Sequence, residues 1–194
     1  MTADLAEHLG LSRTPVREAL SRLKQVDLVE SDTGWGFRVK FLSYAEVLQL
    51  YRVRELLEVE AVRAATSYID DATIMRLSEL QKKAKAAIRR RDLPAFQLSN
   101  REFHGIIIAM SENKVLEGML SQISDKIRLA GTISMRYREE RAKEIYAANT
   151  QLLSGLRRRD PDVAERAIHA HIASGIKTAG LTSPAFSGPL PLDA

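Results

Sequence analysis

Three sets of side chains in this chain have types and spacings that could do chemistry. The first is Arg13, Thr14 and Arg17, within LSRTPVREALSRL (Leu11–Leu23). Arginine pairs bidentately with guanine in a major groove, and threonine bonds a base edge or a phosphate. The second is Arg54 and Glu58, one helical turn apart. On a surface such a pair is worth only about 0.3–0.5 kcal/mol; facing a cavity it is a charged anchor. The third is the histidines. His104 lies in NREFHGIII, with Asn100 one turn earlier and Ile107 and Ile108 beside it. A hydrogen-bonded core histidine and a ligand-binding one both fit that setting. His169 and His171 are two residues apart, so a helix turns them to nearly opposite sides and only one can face inward. His8 is expected to be exposed.

The first set needs a helix to present it. Ser12 is a good N-cap, Pro15 falls in the first turn where its missing N–H costs nothing, and Val16, Ala19, Leu20 and Leu23 form an apolar stripe. Arg13, Thr14 and Arg17 then project from the first turns, the part of a recognition helix that meets base edges in helix-turn-helix docking. An amphipathic helix with solvated arginines fits the same stretch, so the neighbours matter. Asp4–Gly10 reads as a short helix ended by Gly10, and Gly10–Ser12 as the turn into the next helix. Past Leu23 come a strand (Val26–Glu30), a glycine-containing tip (Asp32–Gly36) and a second strand (Phe37–Lys40). That is a hairpin, or wing, whose glycines let the backbone approach a phosphate or a minor groove.

The remainder reads as helices. Ser43 and Glu46 form a capping box that opens a long helix to about Ser67, with Val47, Leu50, Tyr51, Arg54, Leu57, Glu58 and Ala61 along one side. Further helices are expected at about Ala72–Arg91, Pro94–Met110, Val115–Ile133, Arg141–Arg158 and Pro161–Ala179, with Met135–Arg141 a loop or a helix end. Arg89–Asp92 and Arg157–Asp160 repeat the run RRRD. Each reads as solvated cations at a helix C-terminus followed by an aspartate N-cap. Leu181–Ala194, rich in Pro, Ser and Gly, is expected to be disordered.

Composition bounds the options. The 194 residues suffice for one large or two small domains, and 45% hydrophobic with 28% charged residues is the balance of a soluble globular protein. A net charge of +4, with pI about 9.4, suits a polyanionic partner. Without cysteine there are no disulfides, no thiolate chemistry and no usual zinc-finger ligands. No apolar run approaches the roughly 20 residues of a membrane span, and no signal segment follows Met1. The expected location is the cytoplasm.

LAEHLGLSRTPVREALSRL followed by GWGFRV resembles the winged-helix domain of the GntR transcription regulators. SRTPVREAL in particular resembles the FadR-type branch, whose second half is an all-helical effector-binding domain called FCD. The resemblance implies a mainly α fold: a winged helix-turn-helix over residues 1–41, then an antiparallel helical bundle over 42–180, then the tail 181–194. It implies that Ser12, Arg13, Thr14 and Arg17 touch DNA, with Thr33, Gly34 and Gly36 near the backbone. The family has a helix and a short strand before the first helix seen here. The winged helix is therefore expected to lack its first helix and to leave one side of a small core uncovered.

The R-x-x-x-E of Arg54 and Glu58 matches the FCD opening, where the pair lies close to the effector cavity. Many FCD domains bind a divalent metal through an Asp, a His four residues later and two further His on the last two helices. Here those positions hold Asn100, His104, Asn149 and His171. Amide oxygens are poor ligands for zinc-like ions. The resemblance thus implies at most a weakly bound divalent ion of the zinc or nickel kind, held by His104 and His171. The alternative is an organic ligand held directly by His104, His171, Asn100, Asn149 and Arg54.

The function implied is a DNA-binding transcription regulator, with repression the commoner family outcome. It would act as a homodimer on a double-stranded, pseudo-palindromic operator and respond to a small organic acid. An enzyme needs a nucleophile–base set or a complete metal site, and no Gly-x-Ser-x-Gly, HExxH or phosphate-loop motif occurs. A helical ligand-binding dimer with lost or impaired DNA binding is the other expectation.

Overall fold

A computed structural model describes residues 2–32, 36–40, 42–137 and 140–181. They form two compact units that divide between Ser43 and Tyr44. The first holds α1 (Thr2–His8), α2 (Arg13–Gln25), β1 (Val29–Asp32) and β2 (Gly36–Val39). Gly10 adopts the left-handed φ of +65°. Its N–H bonds the Glu7 carbonyl at 3.0 Å, and the Leu11 N–H bonds the Ala6 carbonyl at 2.9 Å. This closes α1 and aims the chain into α2. The expected Ser12 cap is not made. Ser12 stands at the N-cap with extended backbone (φ −74°, ψ 162°), yet its hydroxyl forms no capping bond.

The end of α2 differs from the sequence expectation. The helix runs past Leu23 to Gln25, and Asp27 then takes a left-handed φ of 63°. The Leu28 N–H closes the turn on the Leu23 carbonyl at 3.0 Å. The first strand therefore starts at Val29 rather than Val26. The hairpin is antiparallel with Val29 opposite Val39 and Asp32 opposite Gly36. Arg38 pairs with Glu30 across the strands at 2.8 Å, and Lys40 with Asp27 at 2.6 Å. The tip residues Thr33 and Gly34 lie outside the described residues.

The expected apolar stripe of α2 is only partly covered. Val16 is buried, Leu20 is half-buried, and Ala19 and Leu23 are exposed. Leu5, Leu9, Leu11 and Val26 are exposed as well. A seven-residue α1 and a short hairpin cover one side of α2 and leave the other open.

The second unit is a helical bundle: α3 (Tyr44–Tyr68), α4 (Asp71–Arg90), α5 (Leu93–Met110), α6 (Lys114–Tyr137), α7 (Arg141–Arg157) and α8 (Pro161–Leu181). Four of its helices, α4, α5, α6 and α8, start at capping side chains. Asp70 accepts from the Thr73 N–H at 2.7 Å, Asp92 from Ala95 at 3.0 Å, Asn113 from Leu116 at 3.0 Å and Asp160 from Val163 at 3.0 Å. The turns between α4 and α5 and between α7 and α8 are two and three residues long, and those pairs pack as antiparallel neighbours. Gly155 lets α7 and α8 touch, since a Cβ there would lie 2.7 Å from the Ala164 nitrogen. The segment 135–137, open between loop and helix end in the sequence, belongs to α6. The second RRRD is more than a solvated end. Arg157 donates to the Ser78 hydroxyl and Arg159 to Asp71, both at 2.8 Å, tying the end of α7 to the start of α4. Residues 182–194, expected to be disordered, lie outside the described residues.

Among the described residues, one apolar cluster gathers Ala84, Ala87, Phe96 and Ile145 and another gathers Ala61, Leu116 and Leu120. The polar side chains of the site lie between α3, α5, α7 and α8. Among the described residues, no helix is long and apolar enough to cross a membrane.

Candidate ligand-binding site

The stripe of α3 that faces the bundle carries two charges among apolar residues. Val47, Tyr51, Ala61 and Val62 are buried with Arg54 and Glu58, which are 8% and 5% exposed. The pair is therefore not the surface ion pair its spacing also allowed. Arg54 Nε donates to Glu58 Oε1 at 2.6 Å and Nη2 to Oε2 at 3.3 Å, a two-pronged contact one turn apart. The guanidinium also lies 5.5 Å from the centre of the Tyr51 ring. Burial opposes ionisation of Glu58, but Arg54, and after it His104, holds the carboxyl far below the usual carboxylate range. Burial likewise opposes the charge on Arg54, and Glu58 overcomes it.

Two histidines complete this polar centre. His104 on α5 places Nδ1 3.5 Å from Glu58 Oε2. His171 on α8 places Nε2 3.4 Å from Arg54 Nη2. The two rings are 5.1 Å apart, centre to centre. Burial, followed by the charges of Arg54, His104 and Arg141, pushes the His171 imidazole well below its ordinary value, with Glu58 acting the other way. His171 is thus neutral at physiological pH. His169, two residues earlier, is exposed and pairs with Glu55 at 2.7 Å. One histidine of the two faces inward, as their spacing requires. His8 is exposed on α1.

A cavity of about 300 Å³ opens beside this centre. Arg54, Glu58, Asn100, His104 and His171 line it, together with apolar Phe96, Ile108, Leu120, Ile127 and Ile145. Asn149 is not among the lining residues. It is buried and donates its Nδ2–H to Asn100 Oδ1 at 2.7 Å. Sequence reasoning missed Arg141, which also lines the cavity while 5% exposed, donating to Ser174 at 2.7 Å and to Glu144 at 3.1 Å. The available signal was spacing: Arg141, Ile145 and Asn149 recur at four residues on one face of α7.

The donor set does not suit a divalent cation. The Nε2 lone pair of His171 faces a guanidinium, Glu58 is shared by Arg54 and His104, and Asn100 and Asn149 are neutral amides bonded to each other. Among the described residues, no group of three His, Asp or Glu is placed to hold an ion. A cation there would sit beside Arg54 and Arg141, and among the described lining residues the carboxylates of Glu58, Glu117 and Asp125 are each already paired with a cation. In the first unit, Arg13, Thr14 and Arg17 stand exposed on the first turns of α2, with Ser12 exposed just before them. Gly36 begins β2 with φ of 106°.

Residues 49–174 match the FCD domain, and residues 2–39 match the gntR family of bacterial regulatory proteins. The chain belongs to the GntR family, in its FCD-domain branch. It is 25% identical over 169 residues to YdhC of Bacillus subtilis, an HTH-type transcriptional regulator, covering 86% of this chain and 75% of YdhC. It is 32% identical over 123 residues to the HTH-type transcriptional regulator McbR of Escherichia coli, covering 63% of this chain and 56% of McbR. The solved structure of E. coli McbR/YncC superposes with a TM-score of 0.80 at 26% identity, over 94% of this chain and 86% of that one. The FCD domain of TM0439, described as metal-free, shares the fold with a TM-score of 0.61 at 15% identity, over 75% of this chain and 97% of that one. The family and these relatives are transcription regulators, so the mainly α bundle is an FCD domain behind a helix-turn-helix module.

Proposed function

We propose that this chain is a ligand-responsive repressor that acts in the cytoplasm as a homodimer. Its effector is a small organic acid bound in the helical unit. The observation that carries this is the cavity of about 300 Å³ with two buried cations, Arg54 and Arg141, in its lining. A buried arginine next to an apolar cavity presents donors in a fork that matches a carboxylate. The side chains hold the acid directly, with His104, His171 and Asn100 as further polar contacts. Asn149 acts behind Asn100 by orienting its amide.

On the DNA side, Arg13, Thr14 and Arg17 read or anchor the operator from α2, with Ser12 at the helix start and the hairpin at Thr33, Gly34 and Gly36 near the backbone. The effector changes operator affinity by favouring one of two conformations of the regulator, since a ligand with equal affinity for both shifts nothing. The second reading, a helical ligand-binding dimer without DNA binding, is favoured by the exposed Leu5, Leu9, Leu11, Leu23 and Val26 of the first unit.

Gel shifts on DNA from upstream of the chain's own gene, at two salt concentrations, separate the two. Specific binding that weakens steeply with salt supports the regulator. Arg13→Ala or Arg17→Ala should then weaken binding by about tenfold or more if the arginine pairs with a base. A folded protein that shifts no DNA leaves the ligand-binding dimer.

A further inference from the structure

The chain's excess positive charge does not lie on its helix-turn-helix unit. Residues 1–43, which hold α1, α2 and the hairpin, contain six basic and six acidic residues. The helix α4 contains six of the 29 basic residues and two of the 25 acidic ones, so its net charge of +4 equals that of the whole chain, and the other 23 basic and 23 acidic residues cancel. Arg76, Lys82, Lys83, Lys85, Arg89 and Arg90 are all exposed. Lys82 pairs with Glu79 at 2.6 Å, and among the described residues the other five have no side-chain partner.

Helix surfaces elsewhere on the bundle interleave the signs. Lys114 pairs with Glu117 and Arg128 with Asp125 on α6, and Arg63 on α3 pairs with Glu165 on α8. On α4, Lys82 and Lys85 are three residues apart and Lys85 and Arg89 four, spacings at which like charges repel. The helix C-terminus favours Arg89 and Arg90. It does not account for Arg76, Lys82, Lys83 and Lys85, which lie before the last turn. The second RRRD run enlarges the same surface, because Arg157 donates to Ser78 and Arg159 to Asp71. The two repeated runs therefore flank one helix, one at its end and the other at its start.

The chemistry of the face selects its partner. The 20 residues of α4 span about 30 Å, close to one turn of B-DNA at about 34 Å. Apart from Met75, no large apolar side chain is exposed on α4, so the face lacks the apolar centre of a protein interface. Its own apolar side, with Leu77, Leu80, Ala84 and Ala87, is buried in the bundle and is not offered to a membrane. A rod of phosphates needs neither, only cations spread along a length.

We infer that the exposed face of α4, extended by Arg157, is a second DNA-contacting surface that binds the phosphate backbone of a duplex without reading its sequence. It is separate from the contacts of α2 and the hairpin, and it rests on the regulator reading above for its choice of polyanion.

The test is fluorescence anisotropy of the full chain on two short duplexes, one from upstream of its own gene and one of unrelated sequence, across a series of salt concentrations. Lys82→Ala/Lys83→Ala/Lys85→Ala should lower the slope of log affinity against log salt by about 2–3, since each phosphate contact contributes about 0.9. The loss should be equal on both duplexes. Removing the same charge elsewhere, in Lys114→Ala/Arg166→Ala/Lys177→Ala, should leave the slope unchanged, and circular dichroism checks that each variant is folded. Arg13→Ala should weaken the upstream duplex more than the unrelated one. An unchanged slope in the α4 variant, with the upstream duplex still bound, overturns the inference and leaves the regulator reading standing. An equal drop in the control variant also overturns it, since the effect is then one of net charge. So does binding of polyglutamate or phosphatidylserine vesicles that depends on α4 while duplex affinity does not. If the unmutated chain binds neither duplex at any salt concentration, both readings fall.

Discussion

Removing one partner of the Arg54–Glu58 pair should cost far more than removing both. The two side chains are 8% and 5% exposed and joined at 2.6 Å. An exposed ion pair on one helix is generally worth about 0.5 kcal/mol or less. Breaking a buried pair strands a charge and costs about 3–5 kcal/mol. The two single variants should differ. Glu58→Gln leaves a guanidinium that does not shed its proton beside His171, whereas Arg54→Met leaves a carboxyl that can take one up. Glu58→Gln should therefore sit at the upper end of that range, and the cost of Arg54→Met should shrink as pH falls. The double variant Arg54→Met/Glu58→Leu strands no charge and should recover most of the loss. The helical unit spans Tyr44–Leu181, a size for which 3–5 kcal/mol lowers Tm by about 10–20 °C. Urea and thermal unfolding of the four proteins, followed by circular dichroism, close the cycle. A Glu58→Gln cost below about 1 kcal/mol, or a double variant as unstable as the two singles summed, would refute the argument that this is a buried, mutually dependent pair.

Other consequences follow from single contacts. His171 is neutral in the fold, and its value lies well below the ordinary 6.5, so on falling pH the unfolded chain takes up a proton that the native chain does not. Stability should therefore decline as pH drops below about 6.5, and His171→Gln should flatten that decline. Glu58 carries the same sign but acts lower. Its contribution is complete above the ordinary value of 4.5 and is lost only below it, so urea midpoints measured from pH 7 to 3 separate the two groups. Gly155→Ala would push a methyl group into the Ala164 backbone and should lower stability by about 1–3 kcal/mol, read as a drop in urea midpoint with an unchanged m-value. Asp70→Ala removes the cap on Thr73 and should lower the urea midpoint, while Asp70→Asn, which can still accept, should lower it much less.

The helices were legible because their signals are local. Asp70, Asp92 and Asp160 mark helix starts by bonds that reach only three residues along the chain, and apolar spacing places Val47, Tyr51 and Ala61 on one face. The hairpin was found but its first strand was set three residues early, since nothing in the sequence announced that Asp27 would take a left-handed turn. Ser12 carried the right residue type and the extended backbone of a cap, yet its hydroxyl makes no capping bond, and nothing in the structure explains why.

The sequence by itself determined which residues could be in the site: Arg54, Asn100, His104, Asn149 and His171 follow from types, spacing and a family resemblance. Only the tertiary structure decided what they are to one another. Residues far apart in the chain meet because α3, α5, α7 and α8 pack together, and that packing turns the Arg54–Glu58 spacing from a surface pair into a buried anchor. It sets Arg54 against His171, brings Arg141 in from α7, and leaves His104 Nε2 and His171 Nδ1 without partners. The physical reason is range. Caps and helix faces depend on neighbours within about a turn, whereas burial, charge pairing and the unmet demand for hydrogen bonds depend on which helices touch, and a one-dimensional pattern carries no record of that.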